Sequence, residues 1–195
     1  MFTDWLRKVF GGTAERVARF LGSLGLSPNA LTIVGCVLTV GVAVIIGSGR
    51  FVLGGLLLII TEVFDFLDGT LARVQGKKTK YGSFLDSTLD RVSDSAVVIA
   101  LAWYYTQQGN DVAVLLAIVA VFGAMLVSYT RARAEIIHVD CKVGFFTRVE
   151  RSAILVAALV LNLVVPALWI LAIGTVATAL HRMVHVYLQV RDQPL

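Results

Sequence analysis

Four aspartates set the chemistry open to this 195-residue chain. They stand in two pairs within DFLDGTLARVQGKKTKYGSFLDSTLD: Asp65 and Asp68 are three apart, Asp86 and Asp90 four apart. On a helix each spacing brings both carboxylates to one face. The run just before them, FVLGGLLLIITEVF, is apolar with Glu62 as its single charge. The carboxylates therefore stand at or near bilayer depth, where ionisable groups are costly and mark function. Two helices that each present a carboxylate pair build an all-oxygen site for hard divalent cations such as Mg²⁺. Displacement at a pyrophosphate needs such a site, with two cations about 3.5–4 Å apart that neutralise the phosphates and the leaving group. Gly69 and Ala72 leave room for a ligand to lie against the helix backbone. Arg73 can fork onto phosphate oxygens, and Gly82 permits close approach ahead of Asp86.

The elements that must carry these residues read as membrane helices. Hydrophobic residues make up 57% of the chain and charged residues 15%, against about 45–50% and about 25% in soluble domains. Mean hydropathy is +0.83. The expected fold is all-α and polytopic: one membrane domain over 1–195, with an amphipathic interfacial helix over 1–25 and a six-helix bundle over 29–189. In the first segment Trp5, Leu6, Val9, Phe10, Val17, Phe20, Leu21 and Leu24 alternate with Arg7, Lys8, Arg16 and Arg19, with a break expected at Gly11-Gly12. It has neither the apolar core nor the cleavage site of a signal peptide. Ser27-Pro28-Asn29 reads as a helix start. Six spans are expected near 29–48, 51–72, 84–107, 111–135, 150–165 and 167–189, with a turn at Pro166.

Charge sets the orientation. Every one of the 17 Lys and Arg residues except Arg50 falls on one side or at the helix ends facing it. That side is cytoplasmic by the positive-inside rule, so both termini and all four aspartates face the cytoplasm of a cell (inner) membrane. Basic residues flank apolar spans and do not form one solvated face, which excludes nucleic acid as a partner. Cys36 and Cys141 lie in unlike surroundings and do not read as a disulfide. Trp103, Tyr104, Tyr105 and Trp169 read as interfacial anchors. Lys77, Lys78 and Lys80 read as a solvated loop facing headgroups.

The pattern D-x2-D-G-x2-A-R-x8-G-x3-D-x3-D, filled by Asp65, Asp68, Gly69, Ala72, Arg73, Gly82, Asp86 and Asp90, resembles the signature of the CDP-alcohol phosphatidyltransferases at all eight positions. The resemblance implies that Asp65, Asp68 and Asp86 bind metal, two Mg²⁺ ions or Mn²⁺ in their place. Asp90 would share in metal binding and take the proton of the acceptor hydroxyl. Gly69, Arg73 and Thr79 would contact the CDP moiety of a CDP-diacylglycerol donor, with Ala72 and Gly82 beside it. Asn29 and Thr32 resemble the family's other nucleotide-contacting positions. A homodimer is implied too.

The acceptor is suggested by a second set of residues. SYTRARAE carries Ser128, Arg131 and Arg133; GFFTRVERS carries Arg148 and Arg151; ALHRMVH carries His181, Arg182 and His185. Arginines gathered near a metal site suit a phosphorylated polyol acceptor. The combination resembles bacterial phosphatidylinositol-phosphate synthases, which use inositol 1-phosphate, and Arg131 stands where that group often has Lys. By that resemblance Ser128, Arg131, Arg133, Arg148, Arg151 and Arg182 line the acceptor pocket. A phosphatidylglycerophosphate synthase using glycerol 3-phosphate is the alternative within the family. A transporter with an intramembrane carboxylate site is the alternative outside it, and the clustering of charge on one side argues against it. Glu62 matches nothing in the signature.

Overall fold

The computed structural model describes residues 2–192, with side chains from Gly12 onward apart from Thr13. Among the described residues there are seven helices and no strand: α1 Phe2–Ser23, α2 Pro28–Gly47, α3 Phe51–Val74, α4 Lys80–Gln107, α5 Asp111–Ile136, α6 Arg148–Val160 and α7 Val164–Val190. Local chemistry sets their starts. The Ser27 hydroxyl accepts from the Ala30 amide at 3.2 Å with Pro28 in the first turn, as expected. Thr79 caps α4 through the Gly82 amide at 2.9 Å, which starts that helix one turn before the expected span. Asn110 caps α5 through the Ala113 amide at 3.1 Å.

Three features depart from the sequence reading. The backbone of α1 runs unbroken through Gly11-Gly12. The sixth helix has 13 residues and ends at Val160, so it is about 20 Å long and shorter than a bilayer's hydrocarbon core. The turn before α7 is made at Leu161–Leu163, where Asn162 takes φ 56°, a conformation asparagine tolerates. Pro166 does not make the turn; it lies in the first turn of α7, where its missing N–H costs nothing.

Helices α2, α5 and α7 are long and apolar enough to cross a membrane, with mean hydropathies of 2.5, 2.6 and 1.8 over Pro28–Gly47, Asp111–Ile136 and Val164–Val190. Helices α3 and α4 carry the carboxylates. The bundle turns many large apolar side chains outward, among them Val37, Val44, Ile99, Phe122 and Ile173. In a bilayer such a surface meets acyl chains, so this chain has the build of a membrane protein.

Packing runs α3 and α4 on α2, α4 on α5, α5 on α7, α6 on α3 and α7, and α1 on α3. Ile46, Leu101, Leu159 and Leu168 centre the main core. A side chain at Gly123 would run into Thr175, so this glycine lets α5 and α7 close on each other. Tyr104 and Tyr105 turn inward onto Phe51, with ring centroids 4.7 and 6.3 Å from it, while Trp103 and Trp169 stay exposed. Ala18 of α1 packs with Leu31 and Leu71. Residues 2–11, including Trp5, Leu6, Arg7, Lys8, Val9 and Phe10 of the expected amphipathic face, lie outside the described side chains. Both cysteines are buried and free.

Candidate active site

The end of α3 and the start of α4 both pack on α2, and this places the two aspartate pairs together. Carboxylate oxygens of Asp65, Asp68 and Asp86 all lie within 4.8 Å of one another. Asp68 is the most enclosed, 4% exposed, and Thr32 of α2 donates to its Oδ2 at 2.6 Å. Three anionic oxygens converging from two helices are the donor set that suits a hard divalent cation, so the site fits the metal expected from the sequence.

A cleft of about 240 Å³ opens beside this group. Asn29, Thr32, Gly69, Ala72, Thr79 and Gly82 all line it, with Asp68, Asp86, Lys77 and Lys78. A Cβ at Gly69 would meet nothing within 4 Å, so this glycine exposes helix backbone to the cleft. A Cβ at Gly82 would come within 3.0 Å of Asn29 Oδ1 and Thr79 Oγ1, so Gly82 lets the starts of α2 and α4 approach. Arg73 is exposed and does not line the cleft; it donates to Thr70 Oγ1 at 2.9 Å. Lys77 and Lys78, read from the sequence only as a solvated loop, stand on the rim.

Asp90 stands at the edge of the three-carboxylate group, within hydrogen-bond reach of Asp65. It lies 3.1 Å from Arg148 Nη1, and the same nitrogen bonds Asp65. The Nε of Arg148 is 3.5 Å from Asp94 and has no hydrogen bond. Arg151 is anchored by Asp94 Oδ2 at 2.9 Å and by the Phe146 carbonyl at 3.3 Å. These groups border a smaller cavity of about 60 Å³ that runs inward from the aspartates. Glu62 lines it with Ser152 beside it, and Thr39, Thr61, Ser93, Ser95 and Thr175 add hydroxyls. Thr32 and the aspartates join the cleft and the cavity.

The expected acceptor residues are therefore divided. Arg148 and Arg151 meet at the aspartates. Ser128, Arg131, Arg133 and Arg182 border neither the cleft nor the cavity. Arg131 bonds Glu135 one turn along its own helix at 3.0 Å, and Arg133 is exposed. Arg182 is buried, and its guanidinium donates to the carbonyls of Val143, at 2.9 Å, and Val127. It pins the 137–147 connection to α5 and α7. His185 lies 3.2 Å from the Asp140 carbonyl, and His181 stacks on Phe145 at 5.9 Å, so neither histidine joins the site. Asp94 was missed by the sequence reading, although it continues the four-residue spacing of Asp86 and Asp90.

Helices, carboxylate cluster and cleft define a class, and comparison with known proteins names it. Residues 25–181 match the model of the CDP-alcohol phosphatidyltransferase family. The chain is 36% identical to the phosphatidylinositol phosphate synthase of Corynebacterium glutamicum, over 87% of this chain and 82% of that protein. It is 35% identical to the archaetidylinositol phosphate synthase of Pyrococcus horikoshii, over 87% and 88%. It superposes on the crystal structure of Mycobacterium tuberculosis phosphatidylinositol phosphate synthase with CDP-DAG bound at a TM-score of 0.85, with 29% identity over 89% of this chain and 93% of that one. The same mycobacterial protein has been solved with manganese and citrate. The chain belongs to the CDP-alcohol phosphatidyltransferase family and is an enzyme of that class, a transferase of phospholipid biosynthesis with membrane helices and a metal-binding acidic cluster.

Proposed function

We propose that this enzyme transfers the phosphatidyl group of CDP-diacylglycerol to inositol 1-phosphate, giving phosphatidylinositol phosphate and CMP. The observation that carries the reading is the pairing of Arg148 with Asp90, and of Arg151 with Asp94 one turn further on, beside the carboxylate cluster. It puts guanidinium groups for an acceptor's phosphate next to a base for its hydroxyl. The names of the relatives support the same acceptor.

Asn29, Thr32, Gly69, Ala72, Thr79 and Gly82 form the cleft that takes the cytidine diphosphate, its headgroup lying against the bare backbone at Gly69. Lys77 and Lys78 on the rim face the same phosphates, and Arg73, bonded to Thr70 outside the cleft, would swing to them when the donor binds. Asp65, Asp68 and Asp86 hold two divalent cations, Mg²⁺ or Mn²⁺, with Asp90 sharing one. Bound there, the cations neutralise the pyrophosphate and the leaving CMP. Thr32 keeps Asp68 aimed by its short hydrogen bond. Asp90 takes the proton of the acceptor hydroxyl as its oxygen bonds the lipid phosphorus. The phosphoanhydride bond breaks in line, and its electron pair leaves with CMP. Arg151 holds the acceptor's phosphate, and Arg131 and Arg133 at the end of α5 form its outer approach, with Ser128 and Arg182 in support.

We place α2 to α7 across the bilayer as six spans in one domain, with α1 lying in the interface. The short α6 then sits where the bilayer is locally thin or sheltered by α3 and α7. Both termini and the site face the cytoplasm of the cell membrane, as the position of the Lys and Arg residues supports. The family resemblance supports a homodimer.

The test is CMP release by purified protein in detergent, given CDP-diacylglycerol and Mg²⁺ with inositol 1-phosphate, glycerol 3-phosphate, free inositol or serine. Release with inositol 1-phosphate alone is expected. Release with glycerol 3-phosphate instead would overturn the acceptor and keep the metal site.

A further inference from the structure

Two carboxylates at the cavity, Glu62 and Asp94, belong to no position of the family pattern, and Asp94 is the one paired with arginines. Asp94 lies on α4 one turn beyond Asp90, so Asp86, Asp90 and Asp94 recur along one helix face. Its two oxygens meet two arginines at the start of α6. Oδ2 is 2.9 Å from Arg151 Nη2, and Oδ1 is 3.5 Å from Arg148 Nε. The Arg151 side chain is 11% exposed, so its charge is largely withdrawn from water and depends on a partner. Asp94 on one side and the Phe146 carbonyl on the other fix the plane of its fork. The remaining N–H groups of the guanidinium are left to a ligand.

The competing attraction lies close by. Asp65 and Asp90 already draw Arg148 onto them. Without the carboxylate of Asp94, the other carboxylates that border the same cavity, Asp65, Asp90 and Glu62, are the anions left to draw Arg151. A guanidinium drawn there is lost to an incoming phosphate. We propose that Asp94 is a positioning residue: it holds Arg151 in place so that the guanidinium faces the acceptor's phosphate and stays off the metal-binding aspartates. The inference rests on the phosphorylated-acceptor reading above. Asp94 touches no substrate; it acts through Arg151.

The test is steady-state kinetics of Asp94→Asn and Asp94→Glu with CDP-diacylglycerol and whichever phosphorylated acceptor the wild-type enzyme uses. Asp94→Asn should raise the acceptor KM by about tenfold or more, the scale of one charge-assisted hydrogen bond, and leave the donor KM within about twofold. Asp94→Glu, which keeps the charge, should recover part of the loss. Combined with Arg151→Gln, Asp94→Asn should add less than about threefold, because both changes remove one interaction. An unchanged acceptor KM in Asp94→Asn overturns the proposal, as do equal rises in both KM values or losses that multiply in the double variant. If Asp94→Asn aggregates, Asp94→Ser, which also removes the charge, decides on the same split: a raised acceptor KM at constant donor KM supports the proposal, and an unchanged acceptor KM overturns it. A wild-type enzyme that accepts only unphosphorylated alcohols overturns the acceptor reading and this inference with it, before any variant is made.

Discussion

Replacing Arg148 by methionine tests the electrostatics of the site directly. The guanidinium bonds Asp65, lies 3.1 Å from Asp90 and 3.5 Å from Asp94, and its side chain is 28% exposed. Unit charges about 4 Å apart attract by about 4 kcal/mol at an effective dielectric of about 20. Methionine keeps the apolar stem and removes the charge, which leaves two carboxylates facing each other. Removing one partner of a buried ion pair costs about 3–5 kcal/mol. At about 2–4 °C per kcal/mol for a chain of this length, Arg148→Met should melt about 6–20 °C below wild type in EDTA at pH 8. Asp65 also belongs to the three-carboxylate group, so a divalent cation there replaces part of the lost positive charge. Saturating Mn²⁺ should therefore restore more than half of the loss. The assay is thermal unfolding in detergent, with and without Mn²⁺. An unchanged Tm in EDTA would refute the view that these aspartates depend on Arg148. A loss that Mn²⁺ leaves untouched would refute the view that guanidinium and cation share Asp65.

Three further outcomes are expected. Gly69→Ala meets no neighbour within 4 Å, so it should keep or raise Tm, by up to about 1 kcal/mol of helix propensity, while raising the KM for CDP-diacylglycerol by filling the cleft. Thr32→Val removes the 2.6 Å hydrogen bond to Asp68 and should weaken Mn²⁺ binding by about tenfold or more, measured by titration calorimetry. Gly123→Val drives a side chain into Thr175 and should destabilise the α5–α7 contact by about 1–3 kcal/mol, seen as a lower Tm, with the Mn²⁺ affinity of the folded fraction unchanged.

Much of this site is legible in the chain because helix geometry is local. The spacings of Asp65 with Asp68 and of Asp86 with Asp90 follow from 3.6 residues per turn, and so does the missed Asp94. Small residues at 69, 72 and 82 mark where backbone must stay bare. The helix starts at Ser27 and Thr79 depend on side chains that bond amides three residues on. The acceptor arginines were less legible, because an arginine's long stem reaches several partners and its sequence neighbours do not say which one it meets. Arg131 finds Glu135 on its own helix, Arg182 finds two backbone carbonyls, and Arg151 finds Asp94 across to α4.

By itself, the sequence determined the helical class, the apolar surface and the carboxylate faces, since each depends on composition or on periodicity within one helix. It took the tertiary structure to bring Asp65, Asp68 and Asp86 together, to set Arg148 between Asp65 and Asp90, and to lay the start of the short α6, with Arg148 and Arg151, against Asp94. Those outcomes depend on the rotation and depth of each helix against its neighbours. Packing at contacts such as Gly123 on Thr175 sets both, and no spacing within a single helix encodes them.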